Sequence, residues 1–243
     1  MDSYTQDQAN ESISKSIEIP ERIFPDQPYN TDALESEVPY SLDINHDDWN
    51  LILVNRENRL DSDLNIALET ISKDYLATDS SNQFDSRAMP FLLNMMDDAH
   101  SEDVGIYVTS AYRDYDYQVG LFNRKVDEFV YNGYNQNDAE YEASQYVALP
   151  GTSEHVTGLA VDFVSKNWFD LHNDLTEDFE NTKEFQWLIN NAHEYGFILR
   201  YPEEKVDITQ ITYEPWHFRY VGMEHAEEIS KRGITLEEYL ELG

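Results

Sequence analysis

The sequence contains no cysteine. This absence excludes a disulfide framework and any metal site built on thiolates, so that only nitrogen and oxygen donors remain for a metal. The chain also lacks an apolar run of about 18 residues, which a transmembrane helix requires. After Met1 there is no basic segment followed by an apolar one, the pattern of a signal peptide. We therefore expect no membrane span, signal or anchor within this chain.

Basic residues are scarce. The chain has 16 Lys and Arg against 49 Asp and Glu, which gives a formal net charge of -33. Such a surface keeps a protein soluble and repels nucleic acids and anionic membranes. The charge therefore predicts that nucleic acid is not a partner, but it identifies no substrate.

The 243 residues are 40% hydrophobic and 13% aromatic, enough to build a sizeable core. Residues 1–45 differ from the rest, because they are acidic and polar and because prolines interrupt any periodicity. We predict an acidic arm or linker over 1–45 and a single catalytic domain over 46–243. The prolines in the arm are Pro20, Pro25, Pro28 and Pro39.

Helical and strand-like segments are mixed along the chain without strict alternation. This order predicts an α+β fold with a mostly antiparallel sheet and flanking helices. Short apolar or β-branched runs predict strands at 51–54, 105–110, 159–164, 197–201 and 215–221. Helical spacing and capping residues predict helices over 86–99, 114–130, 135–146, 182–195, 224–232 and 236–242.

Asp162 is the one charged residue in the apolar strand predicted at 159–164. A carboxylate inside a buried strand is costly unless it is paired or binds a metal. His155 lies seven residues earlier, a span of roughly 23 Å in extended chain. The two side chains can therefore share an ion only if the chain folds back between them, and Gly158 permits such a turn.

The segment Glu214-Pro215-Trp216-His217 supplies a second imidazole and a further carboxylate. Residues three apart on a strand face opposite sides, so Pro215 or a bend must break the alternation if Glu214 and His217 are to share a pocket. A catalytic zinc site needs three nitrogen or oxygen ligands, an open position and a nearby base. We predict one Zn²⁺ on His155, Asp162 and His217 at the sheet, with Glu214 as the base.

Arg113 follows the strand predicted at 105–110, where loops carry binding groups. Its guanidinium group could clamp a terminal carboxylate or stabilise a developing oxyanion, although a surface salt bridge is the alternative. Tyr112, Tyr213 and Trp216 are candidates for the walls of a substrate pocket, and ordinary core packing is the alternative for each.

These segments together resemble the VanY-type D-alanyl-D-alanine carboxypeptidase family of zinc peptidases. The resemblance covers about residues 46–232, and no metal or base position departs from the family pattern. The motif S-x-H-x-x-G-x-A-x-D is matched by Ser153, His155, Gly158, Ala160 and Asp162; E-x-W-H is matched by Glu214, Trp216 and His217; and Y-R-x-x-x-x-Q is matched by Tyr112, Arg113 and Gln118.

The resemblance implies a bacterial zinc hydrolase that removes the terminal D-alanine from peptidoglycan stem peptides. It implies zinc on the three residues named above, Glu214 as base and Arg113 stabilising substrate charge. Ser153 and Gln118 would line the substrate pocket. Because peptidoglycan lies outside the cytoplasmic membrane, the implied location is extracellular or associated with the cell wall or membrane.

The shared motifs leave alternatives open. The family includes L,D-carboxypeptidases that act on tetrapeptide stems, and more distant relatives are endopeptidases. A non-catalytic cell-wall or protein-binding module with a structural zinc is the alternative from a different class, although such a site needs no base. We expect a monomer.

Overall fold

The larger sheet of the protein has four antiparallel strands in the order β3-β4-β6-β5. The computed structural model describes residues 44, 48–78 and 82–242, without the side chain of Gln145. Its strands are β1 Leu68–Thr70, β2 Gln83–Asp85, β3 Ile106–Ser110, β4 Ala160–Ser165, β5 Phe197–Leu199 and β6 His217–Tyr220. Strands β1 and β2 form a separate antiparallel pair. The predicted α+β class with an antiparallel sheet is confirmed.

Helices surround this sheet. They are α1 Met89–Ser101, α2 Tyr115–Tyr131, α3 Gln136–Tyr146, α4 Trp168–Leu171, α5 Lys183–Asn191, α6 Val206–Thr209, α7 Met223–Arg232 and α8 Leu236–Leu240. Short 3₁₀ turns occur at Lys73–Tyr75, Glu154–Thr157, Glu177–Asn181, Ala192–Tyr195 and Glu203–Lys205. Among the described residues, no helix combines the length and the apolar composition that crossing a membrane requires.

The helix ends follow the capping residues in the sequence. Asp114 caps α2, where its carboxylate accepts a hydrogen bond from the backbone N–H of Tyr117 at 2.6 Å. Thr182 caps α5 in the same way through the N–H of Phe185. The 3₁₀ turn that follows α5 ends at Gly196, which adopts a left-handed φ of 86°.

The apolar run 51–54 was predicted to be a strand, and this prediction is wrong. The segment is irregular, although Leu51 and Val54 are buried. The Ile52 carbonyl accepts a hydrogen bond from a side chain instead of a neighbouring strand: the Arg219 guanidinium donates to this carbonyl and to that of Asn50.

The main core lies between the larger sheet and the helices α1 and α5. It joins Phe163 of β4 to Leu92 and Met95 of α1 and to Leu188 of α5, all of which are fully buried. A second cluster packs α7 and α8 against β5, and a third joins α2 to α3. The described residues fall within one compact unit, Asp43–Gly243. The predicted arm over 1–45 lies outside the described residues, apart from Ile44.

The turn at Gly158 can be tested by substitution with alanine. Its φ of 69° is left-handed, and a Cβ atom there would lie 2.9 Å from Ile66 Cδ1 and 3.2 Å from Leu68 Cδ2. We expect Gly158→Ala to lower the free energy of unfolding by about 1–3 kcal/mol, measured by chemical denaturation.

The matched control is Gly120→Ala within α2. A Cβ atom there would meet only the end of the flexible Arg124 side chain, at 3.3 Å. We expect this variant to be as stable as the parent, or more stable by about 0.5–1 kcal/mol, because alanine favours helix. Equal unfolding free energies for the two variants would show that Gly158 is not required for the turn.

Candidate active site

His155 and Asp162 are brought together by a reversal of the chain. His155 lies in the 3₁₀ turn Glu154–Thr157, and Gly158 in its left-handed conformation directs the chain back into β4. As a result, His155 Nε2 lies 3.3 Å from Asp162 Oδ2. The chain therefore folds back between His155 and Asp162, as the sharing of one ion requires.

A tight turn before β6 brings the side chains of Glu214 and His217 to the same pocket. The N–H of His217 donates to the carbonyl of Glu214 at 3.1 Å, which closes a turn over Pro215 and Trp216. This turn places His217 Nδ1 3.6 Å from Glu214 Oε2. His217 also pairs with Asp162 in the register of β6 and β4, with Nδ1 3.0 Å from Asp162 Oδ1.

His155, Asp162 and His217 form a group that could hold a metal ion. All three are buried, and one ligand atom of each lies within 4.8 Å of the others. The carbonyl of Ala111 lies 2.5 Å from His155 Nδ1 and can only accept, so Nδ1 carries the proton and Nε2 keeps a free lone pair. Within the described residues, His155 Nε2 and Asp162 Oδ1 have no hydrogen-bond partner. Buried polar atoms of this kind fit a metal ligand set, and two imidazoles with one carboxylate suit zinc.

The electrostatics of the group favour an unprotonated His155 and Asp162 but a protonated His217. Burial, assisted by the charge of Arg113, lowers the pKa of His155 to about 4. Burial alone would raise the pKa of Asp162, but the two histidines hold it well below its ordinary value. Burial likewise opposes the charge on His217, yet the adjacent carboxylates of Asp162 and Glu154 raise its pKa to about 9. A metal ion at His217 Nδ1 must therefore replace a proton.

Glu214 faces the same space with a partly exposed side chain. Burial raises its pKa to about 7, and the negative charge of Asp162 adds to the effect although His217 opposes it. A carboxylate with a pKa near neutrality is suited to accept and return a proton.

Arg113 is held beside the metal-binding group. Its backbone N–H donates to the carbonyl of His155 at 3.2 Å, and its Nη2 lies 3.6 Å from Asp162 Oδ2. Its Nη1 donates to Gln118 Oε1 at 3.2 Å, and Gln118 Nε2 donates to the carbonyl of Ala148 at 2.8 Å. Gln118 is 2% exposed. It supports Arg113 from behind and does not form the wall of the pocket that was predicted for it.

A cavity of about 520 Å³ opens over these residues. Ser153 and Trp216 line it. Tyr112 and Tyr213 do not belong to its lining: the Tyr112 hydroxyl donates to Asp63 at 3.4 Å, and Tyr213 makes a hydrogen bond with Glu180. Beyond the predicted residues, the cavity is lined by Leu121, Arg124, Lys125, Glu128, Ser144, Tyr146, Val147, Ala148, Glu154, Asp174, Leu175, Tyr201, Ile211 and Thr212.

Two contacts of His217 were not anticipated. Tyr201 packs on its ring with centroids 4.7 Å apart. Glu154 is 1% exposed, and its Oε2 lies 3.8 Å from His217 Nε2. No local pattern marks either residue, because Tyr201 is distant in sequence and Glu154 reads as an ordinary polar residue of a loop.

The comparisons with known proteins agree with this geometry. The family model described as VanY, D-alanyl-D-alanine carboxypeptidase, matches residues 81–223. The chain belongs to the VanY family. It is 38% identical over 193 residues to a D-alanyl-D-alanine carboxypeptidase of Enterococcus faecalis, which covers 79% of this chain and 66% of the relative. The chain spans 50–66% of the length of the curated relatives that it matches.

Two solved structures are similar over 79% of the chain. One is a mutant of the vancomycin resistance D,D-pentapeptidase VanY from a VanB-type cassette in complex with Zn(II), with 38% identity, a TM-score of 0.66 and 99% of its chain covered. The other is the LD-carboxypeptidase LdcB, with 35% identity, a TM-score of 0.60 and 86% of its chain covered. A solved relative with Zn(II) and the His155–Asp162–His217 group together support a metal-dependent site.

We expect the purified protein to bind one zinc ion per chain, measured by elemental analysis after dialysis. His155→Ala and Asp162→Ala should each reduce the bound zinc to near zero, because each removes one of three ligands. His193→Ala is the control, since His193 lines a separate surface depression. Retention of one zinc ion by both ligand variants would place the metal elsewhere.

Proposed function

We propose that this protein is a zinc-dependent carboxypeptidase that removes the C-terminal D-alanine from peptidoglycan stem peptides. The observation that supports this most strongly is the convergence of His155, Asp162 and His217 with the base Glu214 at one cavity. Membership of the VanY family supports the same reaction. The substrate is a stem peptide, and its place in peptidoglycan puts the activity outside the cytoplasmic membrane.

His155 Nε2, an Asp162 oxygen and His217 Nδ1 would hold the ion. When bound there, zinc would supply a Lewis acid that polarises the scissile carbonyl and lowers the pKa of water from about 15.7 toward 7. The chain itself prepares the ligands: Ala111 sets the tautomer of His155, and the β4–β6 register sets Asp162 against His217.

Glu214 moves the protons of the reaction. With a pKa near 7 it is ionised in part at neutral pH, so it can accept the proton of the attacking water. In its protonated form it can then give this proton to the amine that leaves when the peptide bond breaks. The turn over Pro215 and Trp216 holds the carboxylate at the cavity, so that both transfers use one group.

Arg113 binds the negative charge of the substrate. Its guanidinium lines the cavity, and Gln118 and the backbone of His155 fix its direction. A carboxypeptidase must recognise a terminal carboxylate and must stabilise the oxyanion that forms at the attacked carbonyl, and a planar guanidinium donor suits both tasks. Ser153 and Trp216 form part of the adjoining wall.

An L,D-carboxypeptidase acting on tetrapeptide stems is the second candidate. It is favoured by the 35% identity to LdcB, an LD-carboxypeptidase of which 86% is covered. The D,D activity is favoured by the 38% identity to VanY, named a D,D-pentapeptidase, of which 99% is covered. The metal ligands and the base serve either reaction, so the choice depends on the rest of the cavity.

The reaction can be tested on synthetic pentapeptide and tetrapeptide stems, with the products measured by mass. We expect the pentapeptide to lose one D-alanine, the tetrapeptide to remain intact, and a chelator to stop the reaction. Loss of alanine from the tetrapeptide alone would establish the second candidate.

Glu214→Gln should retain zinc and lose turnover by about 10²–10⁴-fold, because the amide cannot accept the proton.

Glu203→Gln is the matched control, since Glu203 is exposed and does not line the cavity. It should leave turnover unchanged. Full activity of Glu214→Gln would exclude Glu214 as the base. If neither stem peptide is cleaved by the zinc-loaded protein, the proposed function is wrong.

Arg113→Ala should lower kcat/KM by about 10²–10³-fold, because it removes a donor to developing negative charge. The melting temperature should change little, since the Arg113 side chain is 21% exposed and its backbone hydrogen bond remains. Arg232→Ala is the matched control: it also removes a partly exposed, ion-paired arginine, but one outside the cavity lining. Parallel losses of activity and melting temperature in Arg113→Ala would indicate a structural role instead.

A further inference from the structure

Glu154 is a fully buried carboxylate that contacts two buried arginines. Arg200 Nε donates to its Oε1 at 2.9 Å, and Arg219 Nη1 donates to the same oxygen at 2.8 Å. The side chains of all three residues are 0% exposed. Removing three charged groups from water is expensive unless each is paired and hydrogen-bonded.

The second oxygen of Glu154 points toward the metal-binding group. Glu154 Oε2 and His217 Nε2 lie 3.8 Å apart, and within the described residues neither atom has a hydrogen-bond partner. The other ring nitrogen, His217 Nδ1, faces Asp162 and Glu214. The imidazole therefore lies between one carboxylate at Nε2 and the candidate metal position at Nδ1.

We propose that Glu154 is a positioning residue: its Oε2 orients His217 with the proton on Nε2, so that Nδ1 presents its lone pair to the metal. Arg200 and Arg219 bind Oε1 and thereby hold Oε2 in place. The inference rests on the metal site of the proposed function. A carboxylate behind a metal-binding imidazole typically contributes about 10–100-fold to metal affinity.

The arrangement of donors argues for this role over simple charge balance. Arg200 has a second partner, since its Nη1 and Nη2 donate to Glu237 of α8 at 2.9 and 2.6 Å. Arg219 donates in addition to the carbonyls of Asn50 and Ile52. Each arginine therefore has a second set of acceptors, and at Glu154 both arginines donate to Oε1. Among the described residues Oε2 has no hydrogen-bond partner, and His217 Nε2 lies 3.8 Å from it.

The decisive variant is Glu154→Gln, which has nearly the same shape. Because the arginines require an acceptor, the amide carbonyl should keep the Oε1 position and the NH₂ group should turn toward His217. A donor would then face the Nε2 proton, so the tautomer with a free Nδ1 is disfavoured. We expect the zinc dissociation constant, measured by competition with a chromogenic chelator, to rise by about 10–100-fold.

Two further variants separate positioning from folding. Glu154→Asp keeps the charge for both arginines but is shorter by one methylene, so it should fold and still bind zinc more weakly than the parent. Glu237→Gln is the matched control, because it alters the other partner of Arg200 without a contact to His217. It should lower stability and keep the zinc affinity of the parent.

The ring itself supplies a readout that is independent of activity. Long-range ¹H–¹⁵N spectra of the protein, recorded at a pH at which His217 is a neutral imidazole, should show its proton on Nε2 in the parent and a shift toward the Nδ1–H form in Glu154→Gln. If Glu154→Gln does not fold, the zinc affinity of Glu154→Asp tests the proposal: an affinity equal to that of the parent overturns it.

The outcomes distinguish the two proposals. A parent protein without zinc affinity overturns the proposed function together with this inference. A parent that binds zinc, with Glu154 variants of equal affinity and an unchanged His217 tautomer, overturns the inference alone. Equal weakening by Glu237→Gln also overturns it, because the loss would then follow general disruption of the buried charges.

Discussion

The pairing of Asp162 with His217 across β4 and β6 is the constraint on which the site depends. Antiparallel register sets these two residues opposite each other, and the carboxylate lies inside a strand that is otherwise apolar. A shift of one residue would turn Asp162 to the opposite face of the sheet, away from His217. The β4–β6 register therefore holds Asp162 beside His217, and a metal ion at this group would depend on the strand pairing of the fold.

Buried charge is balanced locally around this pair. Three carboxylates, on Glu154, Asp162 and Glu214, lie near three guanidinium groups, on Arg113, Arg200 and Arg219. The carboxylates have different environments, and their pKa values diverge accordingly. Asp162 and Glu154 are held below their ordinary values by cationic neighbours, whereas Glu214 is raised to about 7. The divergence is what the proposed roles of these three chemically similar groups require: a ligand, a support and a proton carrier.

Much of this arrangement is predictable from local sequence. A charged residue in an apolar strand, Asp162, requires a partner, and the structure pairs it with two histidines. Gly158 and Pro215 indicate turns, and the structure has a turn at each. The strand error at 51–54 has a different origin, because Arg219 is distant in sequence and yet satisfies that segment's carbonyls. Glu154 was missed for the same reason: its partners lie 46 and 65 residues away. Local patterns predict turns and ligands, but they do not reveal side chains that converge from separate elements.

The candidate metal ligands and part of the cavity wall belong to different elements. His155, Asp162 and His217 lie on the 3₁₀ turn, β4 and β6, whereas Leu121 and Arg124 of α2 and Tyr146 of α3 line another part of the cavity. These two helices bury their own cluster, which includes Phe122, Val126 and Ala143, apart from the main core. Changes in α2 and α3 can therefore reshape the cavity without moving the β4–β6 register. Discrimination between pentapeptide and tetrapeptide stems would depend on this wall, because the ligands and the base act only at the scissile bond.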